Sequence, residues 1–184
     1  MNIILLGDAD FKTSGIAVLK DRRHAHIKDI LKAEIGDTVR VGLVNGSLFS
    51  AEISRHEAEC TELSLKEAEP TPPRPKTDVI MAMVRPRIVR QILISLASLG
   101  VRHIYFVNAW KVPKPYFSQR LFDENEYKDY LYLGLEQSCR TYLPEVSIHS
   151  RFNHFVEKEL EKRLPQESLR FVAHPGGETK GSIR

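Results

Sequence analysis

The sequence predicts an α/β chain in two domains: a small β-barrel carrying one helix, then a parallel sheet with crossover helices. Three observations predict it. The stretch Glu69-Pro70-Thr71-Pro72-Pro73-Arg74-Pro75-Lys76 holds four prolines in eight residues, and neither a helix nor a central strand runs through such a segment. Upstream of it the apolar runs are short and separated by turn residues. Downstream, apolar β-branched runs alternate with helical stripes. The domains are therefore placed at residues 1–69 and 77–184, joined by a stiff extended linker over residues 70–76.

In the first domain, Asn2 to Leu6, Thr38 to Val44, Ser47 to Ile53 and Cys60 to Leu65 read as strands, with Asn45-Gly46 as a hairpin turn between the second and third. Arg23 to Lys32 reads as a helix, because His26, Ile27, Ile30 and Leu31 are spaced to share one face. In the second domain, Asp78 to Val84, His103 to Asn108, Val146 to His149 and Leu169 to Ala173 read as strands. The stripe Ile88, Val89, Ile92, Leu93, Leu96 and Leu99 makes the helix after the first of them, and Gly100 closes it. Further helices are expected over about residues 124–141 and 153–163. Strand and helix repeated in this order give a parallel sheet.

Composition narrows the function. The chain has 184 residues, 42% apolar and 28% charged, which suits a soluble globular protein able to bury a core. The formal net charge is only +3, so any attraction to a polyanion must come from how charge is distributed. The distribution is one-sided. From Val79 to Phe122 there are seven basic residues (Arg85, Arg87, Arg90, Arg102, Lys111, Lys114 and Arg120) and no Asp or Glu, although the chain has 24 acids. Ala51 to Glu69 has the opposite bias, with six glutamates against Arg55 and Lys66. A one-sign window in a balanced chain reads as a phosphate-backbone footprint; a solvated helix face with a basic loop is the alternative. Cys60 and Cys139 are too few for a disulfide framework and lack metal-ligand spacing, which points to a reducing cytoplasm and to no metal. No apolar run approaches the ~20 residues of a membrane span.

The common phosphate cradles and the esterase elbow are absent. His24 and His26, beside Arg22 and Arg23 and just before Lys28, suit RNA contact or helix capping better than metal. His26 could equally be a core histidine. Gln137 and Arg140, one turn apart near the end of a helix, could grip a base edge and a phosphate, or Arg140 could cap the helix carbonyls. His174-Pro175-Gly176-Gly177 follows a predicted strand, and open α/β sheets bind ligands at such carboxyl ends.

Taken together, Arg23-His24-Ala25-His26-Ile27, Gly36-Asp37, Asn45-Gly46, Leu99-Gly100-Val101 and Glu136-Gln137-x-x-Arg140 with Pro144, along with the proline linker, Pro86 and His174-Pro175-Gly176, resemble the RsmE family of 16S rRNA uracil-N3 methyltransferases along essentially the whole chain. The resemblance implies a PUA-like barrel that helps hold rRNA. It also implies a SPOUT-type α/β domain that binds S-adenosylmethionine in a trefoil knot and works as a homodimer on the small ribosomal subunit. It implies cofactor contacts at His174, Pro175, Gly176 and Gly177, and RNA contacts at Arg22, Arg23, His26, Lys28, Arg85, Arg87, Lys111, Lys114, Gln137 and Arg140. Two departures stand out. Ser98 and Trp110-Lys111-Val112 replace a Glu and a Glu-Arg-Ser stretch usual in the family. The family's Gly-Pro-Glu-Gly-Gly loop and Leu-Gly-x-x-Ile-Leu-Arg segment, which form most of its cofactor site, would follow Arg184. The expectation for these 184 residues alone is weak RNA binding without methylation. Two rival classes are a non-catalytic rRNA-docking protein and an α/β enzyme on a small nucleotide; seven cations are more than one nucleotide needs.

Overall fold

The computed structural model describes residues 2–110, 112–117, 124–164 and 167–173, and two sheets organise them. The first contains β1 (Ile4–Leu6), β2 (Phe11–Thr13), β3 (Ile16–Leu19), β4 (Thr38–Leu43), β5 (Leu48–His56) and β6 (Thr61–Ala68), in the order β1-β4-β5-β6-β3-β2. β1 runs parallel to β4, and the other pairs are antiparallel. The hairpin forms where Asn45-Gly46 predicts it, with Asn45 in the left-handed region at φ 60°. Ile4, Leu6, Leu19, Val41, Ile53 and Leu63 meet in one buried cluster. A flat sheet could not bring five strands to a single cluster. Register shifts between β5 and β6 at Phe49/Ala51 and Ile53/Arg55 add the twist that curls it. The expected barrel takes the form of this curled sheet, whose edge strands β1 and β2 are not paired with each other.

Two details of this region depart from expectation. β2 and β3, joined by Gly15 at φ 77°, are additional strands: β2 has only three residues, and β3 alternates in burial but is apolar throughout, so its alternation does not show in the sequence. The helix α1 begins at Arg22–Ala25 under an Asp21 cap, continues as a π-helical segment over His26–Leu31, and ends at Lys32 in the left-handed region. The wider turn rotates the expected stripe off its face. Ile27 is buried, while Ile30 and Leu31 are exposed.

The second sheet is parallel, with β7 (Thr77–Ala82), β8 (Val101–Val107) and β9 (Glu145–His149) in chain order. Between these strands lie α2 (Pro86–Leu99) and α3 (Glu124–Ser138). After them comes α4, whose segments Phe152–His154, Phe155–Glu159 and Leu160–Arg163 are continuous. Pro86 occupies the first turn of α2, where a missing N–H costs nothing, and Gly100 ends the helix at φ 76°. Val89, Leu93, Ala97, Leu131 and Leu135 cover the sheet face that carries Ile104 and Phe106. That core also takes in Ile3, Leu5 and Leu48 of the first sheet, so the two sheets share apolar packing. α2 and α3 approach most closely at Gly134, where an added Cβ would lie 2.3 Å from the Ile94 carbonyl oxygen.

The expected strand Leu169 to Ala173 is corrected. These residues form no strand of either sheet, Arg170 alone making an isolated bridge, and Leu169, Phe171 and Val172 are exposed. An apolar β-branched run becomes a strand only where a neighbour offers a ladder. Here Arg170 is instead held 2.6 Å from Glu161 at the end of α4. The helix expected over residues 124–141 is also shorter, ending at Ser138 with Cys139 at φ 54°. Among the described residues no helix is long and apolar enough to cross a membrane.

Candidate nucleic-acid interface

The structure divides the predicted RNA-contact residues into two groups at opposite ends of α2. Its 14 residues span roughly 20 Å at 1.5 Å per residue. One group lies at the joint between the sheets, the other at the carboxyl edge of the parallel strands.

At the joint the motif residues meet each other. The backbone N–H groups of Asn2 and Ile3 donate to the Glu136 carbonyl at 3.0 and 3.2 Å, Asn45 N–H donates to the Thr141 carbonyl at 2.7 Å, and Thr141 Oγ1 donates to the Gly46 carbonyl at 2.7 Å. Glu136 is 1% exposed; its Oε2 accepts from Arg22 at 2.8 Å, and its Oε1 has no hydrogen-bond partner among the described residues. Arg140 donates to the Ser98 carbonyl, and its guanidinium lies over Gly100, where a Cβ would meet Nη1 at 2.5 Å. Arg23 is enclosed by Asp10, Asp21 and the Leu5 carbonyl. Burial opposes the charge on Arg23, but these hydrogen bonds outweigh it and hold the guanidinium above its usual range. Burial likewise pushes the Asp21 carboxyl up, yet the hydrogen bonds from Arg23 leave it below the usual carboxylate range. Arg23 and Arg140 therefore hold the scaffold, and Arg22 is ion-paired with half of its side chain open. Lys28 and the Gln137 side chain are exposed, while His26 is half-buried. His24 is buried between Thr61 and the Ala58 carbonyl, which makes it structural.

The carboxyl edge carries the other group. Arg85 caps the N-terminus of α2 and Arg87 lies in its first turn; both are exposed and have no ion pair among the described residues. Cations at the positive end of a helix oppose its dipole by about 0.3–1 kcal/mol each, and the first turn contains no acid. What this costs the helix, it returns as attraction for anions at exposed N–H groups. Lys114 is exposed on the same side, in the short helix Lys114–Phe117. Two other cations of the acid-free window have partners: Arg102 pairs with Asp78, and Arg90 stacks over Tyr130 at 5.3 Å; Arg120 lies outside the described residues. Lys111, His174, Pro175, Gly176 and Gly177 lie outside the described residues. The described part of this edge has neither a Gly-rich turn nor a carboxylate for ribose hydroxyls, so it does not form a nucleoside-cofactor pocket by itself.

Sequence reasoning missed two features of this sheet. Trp110, after β8, is 98% exposed beside a cleft of about 650 Å³; a sole tryptophan in an acid-free window was the available signal. On the sheet face under α4, Ser147 Oγ bridges His103 Nε2 at 2.9 Å and His149 Nε2 at 3.1 Å, with Glu145 and Glu159 beyond them. Burial holds both imidazoles below their ordinary pKa.

A parallel α/β sheet joined through shared packing to a curled β-sheet, with exposed cations at its carboxyl edge, has the charge distribution of a nucleic-acid-binding protein. Residues 71–183 match the RNA methyltransferase domain family, and the chain belongs to that family. It is 29% identical over 169 residues to ribosomal RNA small subunit methyltransferase E 1 of Borreliella burgdorferi, covering 92% of this chain and 68% of that protein. It is 30% identical over 165 residues to ribosomal RNA small subunit methyltransferase E of Treponema pallidum, covering 86% of this chain and 60% of that one. The chain thus spans about two thirds of the length of these relatives. Its fold resembles that of ribosomal RNA small subunit methyltransferase E from Neisseria gonorrhoeae, a structure bound to S-adenosyl methionine. The TM-score is 0.65 at 16% identity, with 85% of this chain and 66% of that one covered.

Proposed function

We propose that this chain belongs to an S-adenosylmethionine-dependent methyltransferase that modifies N3 of a uracil in 16S rRNA of the small ribosomal subunit. The observation that carries the reading is the family match over residues 71–183, which coincides with a sheet whose carboxyl edge presents Arg85, Arg87 and Lys114. In this reading residues 1–69 are a PUA-like domain that docks on rRNA, residues 70–76 are the linker, and a SPOUT-type catalytic domain begins at residue 77. The enzyme works in the cytoplasm as a homodimer, and His174, Pro175, Gly176 and Gly177 contribute to the cofactor site.

The cofactor supplies a methyl group already activated on a sulfonium, so the protein's part is to position the reactants and hold the RNA. Arg85, Arg87, Lys111 and Lys114 take phosphates near the sheet edge. Arg22, Lys28, His26 and Gln137 extend the contact across the joint, which Arg23 and Arg140 keep rigid.

The test is tritium transfer from labelled S-adenosylmethionine to unmethylated small subunits, with the product mapped by mass spectrometry and cofactor binding followed by calorimetry. Transfer to uracil N3 is the expected result. Salt-sensitive RNA binding with no cofactor heat and no transfer would instead identify a non-catalytic rRNA-docking protein. Replacing Arg85 and Arg87 together by alanine should lower the salt slope for single-stranded RNA by about 1.4, two contacts at ~0.7 each.

A further inference from the structure

Folding makes no use of Trp110. The indole is 98% exposed and belongs to none of the three apolar clusters. It stands three residues past β8, at the carboxyl edge of the parallel sheet, and borders the 650 Å³ cleft with Phe152, itself 45% exposed. The polar groups of the cleft are neutral or basic, and the imidazole among them, His154, meets Glu159 at 3.0 Å. Asn108, Ser150, Arg151, Asn153 and His154 line it, and no carboxylate does among the described residues. Asn108 Nδ2 donates to the Ser150 carbonyl at 3.1 Å, which fixes its amide and leaves Oδ1 as an acceptor. Arg151 is exposed and has no ion pair among the described residues.

A flat apolar surface next to an uncommitted guanidinium and amides that can accept or donate fits an unpaired nucleobase with its phosphate. Bases stack on aromatic faces, cations take the backbone, and amides meet the base edge. A protein partner seated on the same cleft would need an acidic group to match Arg151, and an RNA strand brings one at every nucleotide. We propose that Trp110 is a stacking platform for an unpaired RNA base, with Phe152 as a second apolar wall and Arg151 on the adjoining phosphate. The inference rests on the RNA-methyltransferase reading above and adds a residue that sets how substrate is held.

The chain has one tryptophan, so its intrinsic emission reports this residue alone. The experiment titrates a fluorescein-labelled single-stranded RNA 12-mer of mixed sequence into the protein, following anisotropy of the label. A parallel titration with unlabelled RNA follows tryptophan emission. Quenching is expected to share the anisotropy midpoint. Trp110→Phe should keep the affinity within about threefold, and Trp110→Ala should lose roughly 5- to 150-fold, the range for removing one base-stacking aromatic. An exposed side chain leaves folding intact, which unchanged melting of both variants verifies.

Binding by anisotropy with unchanged emission and an unaffected Trp110→Ala would overturn the stacking role while leaving the RNA reading in place. No binding by anisotropy would overturn both. A blue shift of emission with protein concentration alone, lost with the larger species in Trp110→Ala, would show that a second copy covers the indole, and would overturn the proposal too.

Discussion

Gly134→Ala tests the close approach of α2 and α3. The new methyl would lie 2.3 Å from the Ile94 carbonyl oxygen and 2.8 Å from Ala97 Cβ. Carbon and carbonyl oxygen in ordinary contact are about 3.3 Å or more apart, so α2 and α3 would have to separate by roughly 1 Å. The obstacle is backbone and a helical Cβ, neither of which can rotate away. Ser98 ties the same two turns, its Oγ 2.9 Å from the Ile94 carbonyl and 3.0 Å from that of Gly134. Alanine returns about 1 kcal/mol of helix propensity, whereas overpacking a tight interface costs about 1–3 kcal/mol and sometimes more. With backbone in the way the upper part of that range applies, leaving a net loss of about 1–2 kcal/mol. For a chain of this size that is a fall in Tm of roughly 2–8 °C. Thermal unfolding at pH 7.5, followed by circular dichroism, measures it. A Tm equal to or above that of the parent would refute the helix–helix contact and the account of why glycine stands there.

The joint and the histidine pair give two further tests. Arg22→Ala leaves the Glu136 carboxylate buried without its cation; because Arg22 itself is partly open to water, the expected loss is about 1–3 kcal/mol rather than the larger cost of breaking a fully buried pair. The double variant Arg22→Ala/Glu136→Gln should recover part of it, and urea unfolding midpoints that do not move in Arg22→Ala would sink the idea. His103 and His149 are held below their ordinary pKa by burial, so the unfolded chain takes up protons first as pH falls. Stability should be full above the unfolded imidazole pKa of ~6.5 and decline as pH drops below it. Melting temperatures that rise between pH 7.5 and 5.5 would contradict this sign.

The change of period is legible because helical stripes act locally. Ile88 to Leu99 could be read as a helix from its own spacing, and Gly100 as its end. The α1 stripe was misread because a π-helical segment has the residues of an α-helix but another pitch, which no local pattern announces. Leu169 to Ala173 looks like a strand, and whether it is one depends on a partner distant in sequence. The motif residues were noticed as a set, yet their physical reason is contact. Arg140 needs Gly100 beneath it, Thr141 needs the turn at Asn45-Gly46, and Glu136 needs Arg22, all pairings across tens of residues. Arg23 and Arg140 sit as braces in the fold, Arg140 on a helix-end carbonyl as one of its two sequence readings has it, whereas Arg85 and Arg87 lie open.

The bonds from Asn2 and Ile3 to Glu136 also set a schedule for synthesis. The first strand leaves the ribosome early, but the carbonyl that ties down the two residues ahead of it belongs to a residue made far later; the Asn2 side chain reaches Gln137 across 135 positions. At ~5–20 residues per second those N–H groups wait roughly 7–27 s for their acceptor. During that interval the six-stranded sheet can pair internally while Asn2 and Ile3 offer unpaired backbone to any strand nearby. Slower translation would lengthen that exposure without altering the finished protein, so the yield of native chain should depend on elongation speed even where its final stability does not.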